Sequence, residues 1–308
     1  MIIKILGAAA GGGFPQWNCN CRNCHEARTG NPAFRPRTQS SLAISADGQS
    51  WALLNASPDL RQQINTTPEL SARPQNGLRD SPIKAVVMTN GDVDHIAGLI
   101  NLREGQAFSI YAANRVMATL EANSVFNVVA HANAPRISLP LDTPIALTGA
   151  GIDLGLTIEA FAVPGKIALY LETEGANFGS RDGDTIGLRI AAPASGKEFF
   201  YIPGVAEIDA PLAARIKGAS LLFLDGTLFT DDEMVTQGLS HKTGQRMGHI
   251  SMSGPEGSMA IVEPLAIKRR IYVHINNSNP ALEDGSTAAR AVESAGWEVG
   301  FDGMEVRL

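Results

Sequence analysis

Short apolar runs punctuated by Gly, Pro, Asn and Ser recur along this chain: "MIIKILG", "SSLAISA", "WALLNAS", "KAVVMTN", "FSIYAA", "IEAFAVP", "ALYLET", "IGLRIAA", "EFFYIPG", "SLLFLDG" and "RIYVHIN". Runs of this length between turn residues predict β-strands. Other stretches space their apolar residues by three and four, which predicts helices: "NRVMATLEAN", "DAPLAARIKG", "GPEGSMAIVEPL" and "GSTAARAVESAG". In "SPDLRQQI", Ser57 followed by Pro58 predicts a helix N-cap and first helical position. Strands come first, then a mixture, then a βαβα-like alternation. That order predicts an α/β fold, an αββα sandwich of two mixed β-sheets flanked by helices. No repeat and no low-complexity linker divides residues 1–308, so one domain is expected. The pattern is weakest over residues 125–185, which are rich in Gly, Ala and Pro.

Composition narrows the function classes. With 44% hydrophobic and 18% charged residues, the 308-residue chain can bury a large core without disulfide staples. The net charge is −6 and the densest basic run is "IKRRI", which argues against a nucleic-acid partner. "MIIKILGAAAGGGFP" reads as a first strand ending in a Gly-rich turn rather than a signal peptide. No apolar run approaches the roughly 18 residues of a membrane span, so no membrane association is expected.

Candidate chemistry gathers in two places. All three cysteines, Cys19, Cys21 and Cys24, fall in "WNCNCRNCHE". Packed this closely they cannot build a disulfide framework. They read as reduced thiolates on a metal, in the cytoplasm, and supply three quarters of a tetrahedral site. His25, next to Cys24, is a second-ranked fourth ligand, because adjacent side chains rarely both reach one tetrahedral ion without a special turn.

The second place is "VVMTNGDVDHIAGL", where an apolar strand ends in Asp92, Asp94 and His95. Side chains at the C-terminal end of such a strand project into a ligand crevice. An exposed acidic turn is the alternative. Asp225 ends the apolar run "LLFLD", where a carboxylate is expensive unless paired or metal-bound. His249 sits at a loop-to-helix junction in "MGHISMSG", and His274 ends "IYVH". Each alone reads more readily as a hydrogen-bonded core residue; together they suggest a site. His131 and His241, in polar or Gly-rich stretches, read as surface residues.

These elements resemble the metallo-β-lactamase superfamily. Its His-x-His-x-Asp-His motif aligns with Asn90-Gly91-Asp92-Val93-Asp94-His95, which keeps only the last Asp-His pair. Val163 and Pro164 stand where a further His is expected, and Pro203 where a bridging Asp is expected. These departures argue against a binuclear zinc hydrolase. A two-His-one-carboxylate set suits non-haem Fe(II) and O2 instead. At closer range, "GAAAGGGFPQWNCNCRNC", "RTQSSLAIS", "NASPDLR", "DGTLFTDDEM", "MGHISMSG", "HINNSNP" and "FDGMEV" resemble the family of coenzyme PQQ biosynthesis B proteins over essentially the whole chain.

That resemblance implies a cytoplasmic protein of pyrroloquinoline quinone (PQQ) biosynthesis. It implies an iron-dependent hydroxylase of the tyrosine ring of a Glu–Tyr-derived intermediate, with O2 as co-substrate. A PQQ or precursor carrier, or a metal-dependent hydrolase, is the alternative. Asp94, His95 and His249 are the expected Fe²⁺ ligands, with Asp92 and Asp225 as further catalytic carboxylates. Arg37, Arg61 and Arg181 are candidates for gripping substrate carboxylates. Other PQQ biosynthesis proteins and a second copy of the chain are the expected partners. Some phosphodiesterase relatives in the superfamily complete a similar cysteine zinc site with a His three residues after the last active-site His. Here that position is Asn277, a poor zinc ligand, so His274 is expected to complete a structural Zn²⁺ site with Cys19, Cys21 and Cys24.

Overall fold

The computed structural model describes residues 1–174 and 180–308. Its first six strands are β1 (Ile2–Gly7), β2 (Ser41–Ser45), β3 (Trp51–Leu54), β4 (Ile83–Met88), β5 (Ser109–Ala112) and β6 (Arg136–Ser138). Seven more follow: β7 (Ile145–Gly149), β8 (Ile152–Ala162), β9 (Ile186–Ala192), β10 (Lys197–Ile202), β11 (Leu222–Asp225), β12 (Arg270–Val273) and β13 (Glu298–Val299). The last, β14 (Glu305–Arg307), returns to the first sheet. The sheet orders are β14-β1-β2-β3-β4-β5-β6 and β13-β12-β11-β10-β9-β8-β7. Strands β3 to β6 are parallel, as are β10 to β13, and the rest pair antiparallel.

The central strands of each sheet are buried on both faces. Ile5, Leu54 and Val87 of one sheet share an inner core with Leu188, Phe223 and Ile271 of the other. Leu53 and Val86 face outward with Leu60, Leu99 and Leu120 of the flanking helices. On the opposite side Leu222 and Leu224 join Leu212, Val262 and Val292. Alternate residues of "LLFLD" therefore serve different cores, which is why it reads as one unbroken apolar run. Burying a Leu or Phe side chain at such a position contributes about 1.5–3 kcal/mol. The predicted αββα sandwich is the observed architecture.

The sequence reading differs from the structure at three points. "ALYLET" is not a strand: Leu169–Leu171 is a 3-10 turn with Leu169 and Tyr170 exposed, held by the Tyr170 hydroxyl donating to the Gly91 carbonyl. Ser57 does not cap its helix, which spans Leu60–Thr66 with Asp59 at the cap position. The Ser57 hydroxyl instead donates to Gln63 Oε1. Strands β6, β7, β13 and β14 escape the sequence reading because they are short or polar and owe their form to their sheet partners.

Candidate active site

The parallel strands β4, β11 and β12 all point their C-terminal ends at one crevice, the usual ligand position of such sheets. Beyond β4 the chain turns through Asn90 into the short helix Val93–Ile96, with Asp92 extended at its N-cap. Asn90 takes over from the motif's first histidine as an organiser. Its Oδ1 lies 2.6 Å from His95 Nδ1 and accepts the Asp92 N–H at 3.1 Å. Its Nδ2 donates to the Asp92 carboxylate at 2.9 Å. An amide oxygen only accepts, so the His95 proton sits on Nδ1 and the Nε2 lone pair is free. His95 is 1% exposed, and its Nε2 has no hydrogen-bond partner among the described residues.

On the other sheet, Asp225 is fully buried and fully bonded. Its Oδ2 accepts from the Val205 N–H at 3.0 Å and from His249 Nδ1 at 2.6 Å. Its Oδ1 accepts from the Thr227 N–H at 3.0 Å and the Thr227 hydroxyl at 2.6 Å. Having given its proton to Asp225, Thr227 Oγ1 accepts from His274 Nδ1 at 2.8 Å. Both histidines thus carry their proton on Nδ1 and are held by a buried oxygen, the arrangement that orients metal-binding imidazoles. His274 has φ +56°, a left-handed conformation costly for a side-chain-bearing residue. That turn brings its Nε2 to 3.0 Å from Asp94 Oδ2, while His95 Nε2 lies 3.9 Å from the same oxygen.

Asp94, His95 and His274 therefore converge ligand atoms within 4.8 Å of one another. The electrostatics agree. Burial pulls His95 down to about 4, so it is a neutral ligand at ordinary pH. Burial opposes ionisation of Asp94, yet His95 and His274 hold its carboxyl far below the usual range. Burial likewise opposes His274, but its bond to Asp94 and the nearby carboxylates push it upward. Burial and the charge of Asp94 raise Asp92 to about 6. His274 Nε2 faces the Asp94 carboxylate, and these two groups together with the unpartnered His95 are what a cation there would satisfy. A second convergence, Asp225, His249 and His274, centres on the Thr227 hydroxyl and is a hydrogen-bond node. Asp225 thus positions His249 through its Nδ1.

Asp94, His95, His274 and Thr227 line a cavity of about 350 Å³, along with Asp92 and His249. None of Arg37, Arg61 and Arg181 lines it. Arg37 is buried elsewhere, donating to the Gly300 and Arg35 carbonyls, and burial pulls its guanidinium down to about 10. Arg61 is exposed on its helix, and Arg181 is exposed beside shallower hollows. The cations that do line the cavity are Lys166 and Lys242, which sequence reasoning missed. Thr227 was equally hidden, its only signal being its place two residues after the strand-end Asp225. Gly204 lines the cavity after Pro203, and the chain there offers the Val205 N–H to Asp225 rather than a carboxylate.

The cysteines form a separate cluster, with all three sulfurs close enough to share an ion. Gln16 and Cys21 N–H groups donate to Cys24 and Cys19 sulfurs at 3.4 Å, and the helix Arg22–Arg28 starts directly after Cys21. Burial pushes the Cys24 thiol up to about 12, a state that a cation relieves. The expectation that His274 completes this cluster is wrong: its ring is committed to Asp94 and Thr227. The Asn277 side-chain amide stands there instead, its Nδ2 3.2, 3.6 and 3.4 Å from the sulfurs of Cys19, Cys21 and Cys24. His25 is exposed and outside the cluster, and His131 and His241 are exposed as expected.

Comparison with known proteins follows the same lines. A β-lactamase superfamily domain model matches residues 50–275. Coenzyme PQQ synthesis protein B of Bradyrhizobium diazoefficiens is 48% identical over 99% of both chains. The protein of that name from Rhodopseudomonas palustris is 49% identical over 100% of both. The crystal structure of Zn²⁺-bound PqqB from Methylobacterium extorquens superposes with a TM-score of 0.94 at 47% identity, covering 100% of each chain. A diphosphatase of the PhnP family shares the fold, with a TM-score of 0.67 at 20% identity over 99% of this chain and 96% of that one. On this similarity, carried over the full chain, the protein belongs to the coenzyme PQQ synthesis protein B family of the β-lactamase superfamily.

Proposed function

We propose that the chain acts in PQQ biosynthesis as a non-haem Fe(II)/O2-dependent hydroxylase of the tyrosine ring of a Glu–Tyr-derived intermediate. The observation that carries this reading is the buried, unpartnered His95 Nε2 facing Asp94 and His274. Two imidazoles and one carboxylate form the donor set that suits ferrous iron and dioxygen, and they are the residues that hold the ion. Bound there, Fe(II) supplies the electron-transfer chemistry that ground-state O2 requires. His249, lining the same cavity, is available beside them. The chain's own task is to keep three Nε2 lone pairs facing inward through Asn90, Asp225 and Thr227. The Asp92 carboxylate lines the cavity and is the group placed to exchange a proton with a bound phenol. In balance, one oxygen atom of O2 enters the ring and the other leaves as water. That consumes two electrons and two protons from an external small-molecule reductant.

The cysteine cluster is assigned to a structural Zn²⁺. Cys19, Cys21 and Cys24 would hold it through their sulfurs. The Asn277 amide already stands at 3.2 to 3.6 Å from them. Turned over, that amide would offer Oδ1 as the fourth ligand. Closed on four sides, the site stabilises the fold and leaves substrate no access. Reduced thiolates of this kind suit the cytoplasm.

Anaerobic loading with Fe(II), followed by the Glu–Tyr-derived intermediate, reductant and ¹⁸O2, tests the hydroxylase. Mass spectrometry is expected to find an oxygen atom from O2 in the product, absent with His95→Ala. Iron-loaded wild type that binds the intermediate but transfers no oxygen overturns the reading in favour of a carrier.

A further inference from the structure

Two residues after His274, Asn276 lines the cavity although it is only 8% exposed, and the chemistry above leaves it unused. Its backbone N–H is tied to the Thr227 carbonyl at 3.0 Å. Its Nδ2 donates to Ser278 Oγ at 2.5 Å, and the Ser278 hydroxyl donates to Glu233 Oε1 at 2.7 Å. Glu233 is buried and outside the cavity lining. Its Oε2 accepts from the N–H groups of Phe229 at 2.6 Å and Thr230 at 3.3 Å. Further bonds hold the segment after Asn276 in place. Gln237 Nε2 donates to the Ser278 carbonyl and Asn279 Nδ2 to the Gly226 carbonyl, each at 3.0 Å.

The direction of these hydrogen bonds follows from their buried end. Burial raises Glu233 to about 7, against the bonds from Ser278, Phe229 and Thr230, so at about pH 8.5 it is a carboxylate and only accepts. The Ser278 hydrogen is then spent on Glu233, and the Ser278 oxygen is left to accept from Asn276. That network sets the Asn276 amide with its nitrogen toward Ser278 and its oxygen away from it. Among the described residues nothing donates to that Oδ1. Asp92, Asp94 and Glu172 line the same cavity as acidic groups, whereas this acceptor is neutral and chooses by direction alone.

We infer that Asn276 is a specificity-determining residue whose fixed amide oxygen accepts a hydrogen bond from an N–H or O–H group of the ligand, and that Glu233 positions it through Ser278. The inference rests on the proposed function only for the ligand, an amino-acid-derived phenol. A buried acceptor that a ligand covers without pairing costs more than a bond made gains, so such a site rejects analogues that lack the donor.

The probes are the Glu–Tyr-derived intermediate, its deoxy analogue without the phenol hydroxyl, and its deamino analogue without an amine. Each is titrated calorimetrically, at about pH 8.5, where Glu233 is ionised, into zinc-loaded wild type, Asn276→Ala and Glu233→Gln. Wild type is expected to bind at least one analogue about tenfold more weakly than the intermediate, and the group that analogue lacks is the donor. Asn276→Ala should abolish that difference. Glu233→Gln alters nothing in the cavity lining, yet it should abolish the difference too. The Phe229 and Thr230 N–H groups hold its amide oxygen, so its nitrogen donates to Ser278, which turns its own hydrogen on Asn276 and flips that amide. A merely structural loss weakens all three probes alike and leaves the selectivity intact. Where Asn276→Ala folds poorly, Glu233→Gln carries the test. Selectivity unchanged in Asn276→Ala, or a wild type that binds the intermediate no better than both analogues or not at all, overturns the inference. Selectivity kept in Glu233→Gln removes Glu233 as the positioning residue. Oxygen transfer by the Fe(II)-loaded protein is scored separately: Asn276-dependent selectivity without hydroxylation sinks the hydroxylase and leaves this assignment standing.

Discussion

Replacing Thr227 by Val removes one hydroxyl and almost no volume, so it isolates the hydrogen-bond node beneath the histidines. That hydroxyl donates to Asp225 Oδ1 at 2.6 Å and accepts from His274 Nδ1 at 2.8 Å. The Thr227 N–H continues to serve Asp225 at 3.0 Å, so the carboxylate loses one of four bonds. His274 Nδ1, fully buried, is left with no oxygen beneath it. A buried polar group stripped of its partner costs about 1–3 kcal/mol, so the metal-free variant should be destabilised by about 2–4 kcal/mol. The larger signature is at the metal. Nothing then selects the tautomer that turns the His274 lone pair toward Asp94, and loss of such a supporting bond typically weakens metal affinity about 10–100-fold. Urea unfolding of the metal-free protein reads the first quantity, and competition with a chelator of known affinity reads the second. Active-site affinity within about twofold of wild type would refute the claim that Thr227 orients His274. A stability loss with unchanged affinity would leave Thr227 a merely structural residue.

Two further outcomes follow from other parts of the molecule. Asn277→Ala should release zinc from the cysteine cluster and lower the unfolding temperature, whereas Asn277→Asp, which keeps an oxygen at that vertex, should retain it; metal analysis after dialysis decides, and equal zinc in both variants removes Asn277 from the ligand set. Asp302 is raised by burial to about 6, against its hydrogen bonds from Thr38 and Ala8. A raised carboxyl binds its proton more tightly in the folded chain. Its favourable contribution is therefore full below about pH 4 and is lost as pH rises through 6. Over that window the stability of wild type relative to Asp302→Asn should fall by on the order of 3 kcal/mol; parallel pH profiles for the two proteins would contradict this.

Reading the site from sequence brings out residues whose signal is local and misses arrangements that depend on distant partners. Asp94, His95, Asp225 and His274 were recognisable because each ends or follows a strongly apolar strand, where polar groups are expensive. The division of the histidines was not recognisable. His274 was expected at the cysteines, but its left-handed backbone turns it toward Asp94, and the Asn277 amide three residues later lies against the sulfurs. Arg37 looked like a substrate grip, yet it spends its donors on backbone carbonyls. Lys166, an unremarkable residue in a weakly patterned stretch, lines the cavity instead.

The sequence by itself determined the layers of this protein. Unbroken apolar runs must be buried on both faces, and that requirement yields two sheets with helices outside them. It also determined the three-thiolate cluster, whose spacing is local to one turn. Tertiary structure alone decided which residues share an ion, a node or a cavity. Asp94 and His274 are separated by 180 positions in the chain and lie 3.0 Å apart. Ligand geometry depends on tenths of an ångström and on which ring nitrogen carries a proton. Those are settled by partners such as Asn90 and Thr227 that no local pattern marks, because their only distinction is what the fold brings beside them.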